Sequence, residues 1–232
     1  MTTHWSVVQA AAQPRTPECR QALEILCQTY WFPVYAYLRR WGHTQDAAED
    51  YTQGFFTHLL ERDGFRLADR ERGRFRSFLL SALKNFIANE QDRKRALKRG
   101  GGRTILSLDL AEAEGRYAVQ SAQASSPERV FERSWALTIL NKAMTRLQSE
   151  LVQRDKGDLF NHMKGYMTAD ADTVPYQATA KALGMTETAV KVAVHRLRKR
   201  YRELLRDEIA QTVSEETQID EEIGNLFAAL AR

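Results

Sequence analysis

Cysteine is nearly missing from this chain, with only Cys19 and Cys27 in 232 residues. Both fall on one predicted helix, too few and wrongly placed for a zinc cluster or a disulfide framework, so they read as reduced core thiols of a cytoplasmic protein. No apolar run approaches the roughly 20 residues of a membrane span, and the first residues lack the apolar core of a signal peptide. Membrane insertion is not expected. Strand-like alternation does not persist anywhere, and there is no internal repeat. A Gly-rich phosphate loop and a cysteine with a matching base are also missing, which argues against enzymatic chemistry, a small-molecule substrate or a cofactor.

What is present suffices for a core. Hydrophobic residues make up 43% of the chain and charged residues 28%, with mean hydropathy −0.51. The length suits one large or two small domains, and two is the preferred reading. The net charge is only +4, but its distribution is uneven. Basic residues dominate from Arg62 to Arg103, and Thr188 to Arg202 holds six Lys or Arg and no acid. Beyond Arg206 the sign reverses through Asp207, Glu208, Glu215, Glu216, Asp220, Glu221 and Glu222. Two basic zones and an acidic tail suggest a polyanionic partner, most plausibly nucleic acid.

Apolar residues recur at spacings of three and four, which predicts helix almost throughout. Leu23, Cys27, Tyr30, Val34, Leu38 and Trp41 trace one face, with Pro33 expected to kink or divide that helix before Gly42 ends it. Thr44 suits the N-cap of a helix to about Arg62, and a charged loop follows to Arg74. A third helix is predicted from Phe75 to about Lys98. Gly100, Gly101 and Gly102 mark the start of a linker. Helix resumes at Pro127 behind Ser126 and runs to about Val152, and another spans Leu159 to Met167. The acidic tail carries a stripe of Ile219, Ile223, Leu226, Phe227 and Leu230.

The segment from Tyr176 to Arg202 reads as a helix-turn-helix. Gly184 supplies the sharp turn and Thr186 the cap of the second helix. At about 100 degrees per residue, Val190, Ala193, Val194, Leu197 and Tyr201 cluster on one side. Thr188, Lys191, Val192, His195, Arg196 and Lys199 cluster on the other. Residues near the start of such a helix reach base edges and later basic residues clamp phosphates. Thr188, Lys191, Val192 and His195 are therefore base-reading candidates, Arg196 serves either role, and Lys199, Arg200 and Arg202 suit phosphates. A basic solvated face on an ordinary hairpin is the competing reading.

Upstream, Asp46, Ala47, Ala48, Glu49, Asp50, Tyr51, Thr52 and Gln53, followed by Phe55 and Phe56, resemble the region 2.2 helix of sigma-70 family factors. FRSFLLSALKNFIANEQDRKR, from Phe75 to Arg95, is similar to regions 2.3 and 2.4, and YQATAKALGMTETAVKVAVHRLRKRYRELL, from Tyr176 to Leu205, to region 4.2. Their order and separation match the extracytoplasmic function (ECF) subfamily, and the resemblance covers most of Leu23 to Leu205.

The resemblance implies an all-α fold of two helical domains: a region 2 bundle at 1–99, a flexible linker at 100–127, a region 4 helix-turn-helix domain at 128–209 and a C-terminal extension at 210–232. It implies a factor that binds core RNA polymerase and directs promoter-specific initiation. Asp46, Glu49, Asp50, Gln53 and Phe56 would meet the polymerase clamp helices. Arg66, Arg72, Arg74, Phe75, Phe78, Asn85, Arg93 and Lys94 would hold the opened −10 element. Capture of an unstacked base fits the arginine-rich loop leading into Phe75, although core packing competes as the reading of each phenylalanine. The recognition helix, including Arg200, would read the −35 element.

Gly54 stands where many members carry Glu. Asp109, Glu112 and Glu114 of the linker are expected along the polymerase cleft. An anti-sigma factor or a regulatory kinase is a further possible partner, with Thr52 a phosphorylation candidate. The tail has two readings: a helix completing the second domain's core, or an acidic segment docking on the chain's own basic surface to restrain promoter binding. Two other functions compete. His43, Asp46, Glu49 and Asp50 have helical spacing for metal ligands, but a partner-binding acidic face explains them more simply. The stronger rival is a helix-turn-helix regulator that binds an operator without polymerase.

Overall fold

A computed structural model of the chain describes residues 17–61, 74–96, 113–121, 126–167, 175–213 and 215–231. Helices and the short turns between them make up these residues, with no strand among them. In chain order the helices are α1 (Pro17–Trp41), α2 (Gln45–Glu61), α3 (Phe75–Ala96), α4 (Ala113–Ser121), α5 (Pro127–Val152), α6 (Gly157–Met163), α7 (Tyr176–Leu183), α8 (Glu187–Ala210) and α9 (Ile219–Leu230). Short 3₁₀ turns at Lys164–Met167 and Glu216–Gln218 follow α6 and precede α9. No helix among the described residues is long and apolar enough to cross a membrane.

Local chemistry sets the boundaries. Thr44 Oγ1 accepts from the Ala47 amide at 3.3 Å, Ser126 Oγ from Arg129 at 3.3 Å and Thr186 Oγ1 from Ala189 at 3.2 Å. Each hydroxyl satisfies an amide that the first helical turn leaves unpaired. Pro33 does not divide α1, which runs through it as one helix.

The chain forms two compact units. The first comprises Met1–Thr138 and Ile209–Arg232, the second Ile139–Glu208. The divide thus falls within α5 and α8 rather than in the glycine-bounded linker, and the C-terminal extension groups with the first unit.

The core of the first unit is rich in aromatics. Tyr30, Phe32, Tyr35, Phe55, Phe56, Phe75, Phe131 and Trp135 are all fully buried. Tyr30 meets Phe75 edge-on at 5.2 Å, and Phe55 lies 5.6 Å from Phe86, ring geometries that add specificity to apolar burial. Gly54 lies on α2 where a β-carbon would sit 3.4 Å from the Phe86 ring, so this position belongs to the α2–α3 packing.

Part of the expected flexible linker is instead helix. Glu114 of α4 accepts from Arg39 Nε at 2.6 Å and Nη2 at 3.0 Å, and from the Tyr35 hydroxyl. Arg116 stacks over Phe32 at 3.9 Å. The Arg39 hydrogen bonds hold the Glu114 carboxyl below its ordinary range. This placement replaces the expectation that Glu114 lies along a polymerase cleft; Asp109 and Glu112 fall outside the described residues. A nine-residue helix containing Gly115 is marginal by propensity alone. Its contacts with α1 supply what the local sequence does not.

In the second unit Ile139, Ala143 and Leu147 of α5 and Val190, Val194 and Leu197 of α8 are buried with Phe160, Met163, Tyr166 and Ala180. Arg146 of α5 bonds Glu208 at 2.6 Å, and Glu150, one turn on, accepts from Arg200 at 2.7 and 2.9 Å. The Tyr201 hydroxyl donates to the Leu140 carbonyl at 3.2 Å, and burial pushes its pKa up to about 12. These bonds fix the rotation of α8 about its own axis against α5.

Candidate nucleic-acid interface

The turn between α7 and α8 depends on Gly184, whose φ of 63° lies in the left-handed region that side chains with a β-carbon resist. The Met185 amide returns to the Ala180 carbonyl at 2.9 Å, closing the end of α7. The Tyr166 hydroxyl bonds Thr179 at 2.8 Å and its ring stacks on Tyr176 at 4.8 Å, fixing α7 from below.

On α8 the two faces separate cleanly. Val190, Val194 and Leu197 are buried, with Ala193 and Tyr201 half-buried beside them. Thr188, Lys191, Val192, His195, Arg196 and Lys199 are all exposed, and so is Arg202. Val192, 45% exposed, is an aliphatic side chain amid the polar ones. Lys191 extends over the Tyr176 ring, Nζ 5.4 Å from its centre. Beside this face an open groove of about 840 Å³ is lined by Leu147, Leu151, Met185, Thr188, Val192 and Arg196, among others.

Two basic residues of α8 have work inside the unit. Arg198 donates to the Tyr166 carbonyl at 2.8 and 3.0 Å. Arg200, expected at a phosphate, is held by Glu150 and by Glu203 at 3.0 Å. The hydrogen bonds that Arg200 donates to these carboxylates raise its pKa, and Arg200 in turn lowers that of Glu150. Its charge is largely neutralised where it stands, so Arg200 leaves the group of open cations.

The first unit divides its candidates in a similar way. On α2, Asp46 and Asp50 are exposed and Glu49 and Gln53 half-buried. Phe56 is 1% exposed, a core residue with no surface for a partner. The reason is register: Phe55 and Phe56 both turn inward, their rings 5.4 Å apart. Thr52 is fully buried, its hydroxyl donating to the Ala48 carbonyl at 2.6 Å. A phosphate there requires α2 to open locally, which removes Thr52 as an accessible modification site in this conformation.

On α3, Asn85 is exposed and Phe78 half-buried, its ring 6.0 Å from that of Phe75. Phe75 itself is 1% exposed against Tyr30, so core packing is the role the structure gives it rather than base stacking. Arg74 is ion-paired with Glu221 and Glu222. Arg66 and Arg72 lie outside the described residues, as do the side chains of Arg93 and Lys94.

No protein-family model, curated protein or solved structure matches this chain. Functional meaning therefore has to come from the residues themselves. Among the described residues no group of three or more His, Cys, Asp or Glu is placed to hold a metal ion.

Sequence reasoning missed one pair of residues. Arg76 and Glu222, 146 positions apart, bond each other at 2.7 and 3.1 Å in the interior. Arg76 also bonds Glu132 and lies over the Trp135 ring at 4.5 Å. The available signal was an acid three residues from Ile219 and four from Leu226, on the same side of a helix as two core residues.

Proposed function

We propose that this chain is an ECF-type sigma factor of the sigma-70 family: it binds core RNA polymerase, recognises a −35 element through α8 and assists opening at a −10 element through α3. The observation that carries the reading is the exposed face of α8. Thr188, Lys191, Val192, His195 and Arg196 stand together behind a left-handed Gly turn, with no acid among them and with a buried apolar face opposite. An arginine or lysine matches guanine acceptors in the major groove, and a valine matches the thymine methyl. Lys199 and Arg202, further along the same helix, suit the flanking phosphates.

A recognition helix alone serves a repressor equally well, so the polymerase-binding role rests on α2. Asp46 and Asp50, four residues apart and both exposed, form an acidic edge available to a basic partner. Reversing both, Asp46→Lys with Asp50→Lys, is expected to weaken binding to core polymerase by about tenfold or more, as loss and reversal of interface charge pairs costs at least ~1.4 kcal/mol. Binding to immobilised core enzyme measures it. Unchanged affinity in a folded variant removes α2 from the interface, and binding of an operator palindrome without polymerase favours the regulator reading.

A further inference from the structure

Glu222 is a carboxylate with no solvent exposure, on a helix whose neighbouring acids Asp220 and Glu221 are exposed. Its oxygens lie 2.7 Å from Arg76 Nε and 2.8 Å from Arg74 Nε. Glu221 bonds Nη2 of the same Arg74 and stays 68% exposed. At the other end of α9, Arg133 Nη1 donates to the Leu230 carbonyl at 3.0 Å. Arginines thus hold the helix where its dipole wants them least and most: at the first turn through its acids, at the last turn through a free carbonyl. Of the apolar stripe, Ile223 and Leu230 are half-buried. Ile219 and Leu226 are buried, while Phe227, predicted to face inward, is 52% exposed. Attachment that leans on charge pairs is the kind a polyanion can displace.

The two arginines that pair with Glu222, Arg74 just ahead of α3 and Arg76 in its first turn, differ in what they can do. Arg76 is enclosed, shared with Glu132 and stacked on Trp135, which makes it a fixed anchor. Arg74, 27% exposed at its side chain, stands at the start of α3 and spends its guanidinium on Glu221 and Glu222. We propose that α9 is an intramolecular competitor of the promoter strand, its two carboxylates occupying on Arg74 the place that a nucleic-acid phosphate takes when α9 is displaced. Glu222 anchors the helix through Arg76, and Glu221 masks Arg74. The inference rests on the reading of α3 as a strand-facing helix and adds the device that controls access to it.

The test is a cycle of variants of the full chain, read by anisotropy of a fluorescein-labelled single-stranded oligonucleotide over a range of salt. Glu221→Gln with Glu222→Gln is expected to bind about fivefold more tightly than wild type. Its salt dependence steepens by roughly 0.7 in log–log slope, the share of one added phosphate contact. Arg74→Ala abolishes that gain, so it costs the double variant about fivefold more affinity than it costs the wild type. An equal loss from Arg74→Ala in both backgrounds overturns the proposal, as does no gain in a double variant with native circular dichroism. Should the double variant unfold, Glu221→Gln alone, altered only at an exposed group, decides on the same terms. Core-polymerase binding is measured on the same proteins. Failure there with the Arg74 cycle intact defeats the sigma reading and spares the mask.

Discussion

Arg76→Ala is expected to destabilise the first unit by about 3 kcal/mol, the lower end of the range for breaking a buried ion pair. Glu222 has no exposure and cannot regain water without α9 moving. Arg74 remains 2.8 Å from it, which keeps the loss from the upper end. The stacked contact over Trp135 disappears as well. Urea unfolding followed by tryptophan fluorescence measures this, since Trp135 sits beside the missing guanidinium. The double change Arg76→Met with Glu222→Leu is expected to recover most of the loss, because two apolar groups of similar volume carry no desolvation penalty. A single variant as stable as wild type means that α9 is not held by this pair.

The second large effect is on recognition. Arg196→Ala is expected to lower promoter-specific initiation by roughly 5- to 150-fold at subsaturating holoenzyme, the loss of ~1–3 kcal/mol from one base contact. Arg200→Ala is expected to change promoter selectivity little, because Glu150 and Glu203 already bind its guanidinium. Its effect should appear in stability, as loosening of α8 from α5. Comparing initiation across a set of promoter variants separates the two. Equal loss of selectivity from both substitutions means that the face of α8 is assigned wrongly.

The difference between those arginines shows where sequence reading reached and where it stopped. Helix positions, the three hydroxyl caps and the Gly184 turn are set by neighbours within a few residues, so periodicity and cap chemistry reveal them. The two faces of α8 follow from the same geometry, and the predicted division matches the burial along it. Arg198 and Arg200 look like the other basic residues in sequence; Tyr166 and Glu150, distant along the chain, take them out of the open set.

Two aromatic candidates lie in the core for a related reason. Phe56, read as a polymerase contact, and Phe75, read as a base-stacking ring, fit those roles and a core role equally well on paper, and the packing of α1 to α3 buries both. In α9 the predicted stripe included Phe227 and excluded Glu222, because a carboxylate counts as polar until its buried cation is known. Helix α4 was invisible because its stability comes from Arg39, Tyr35 and Phe32 rather than from its own nine residues.

The most direct measurement of the central claim is reconstituted transcription. Core polymerase and the purified chain are incubated with fragmented genomic DNA of the source organism, and RNA 5′ ends are mapped. The expected result is a set of start sites that require the added chain, share a two-part upstream element and disappear with Arg196→Ala. An absence of chain-dependent start sites, together with protection of a palindromic operator by the chain alone, contradicts it.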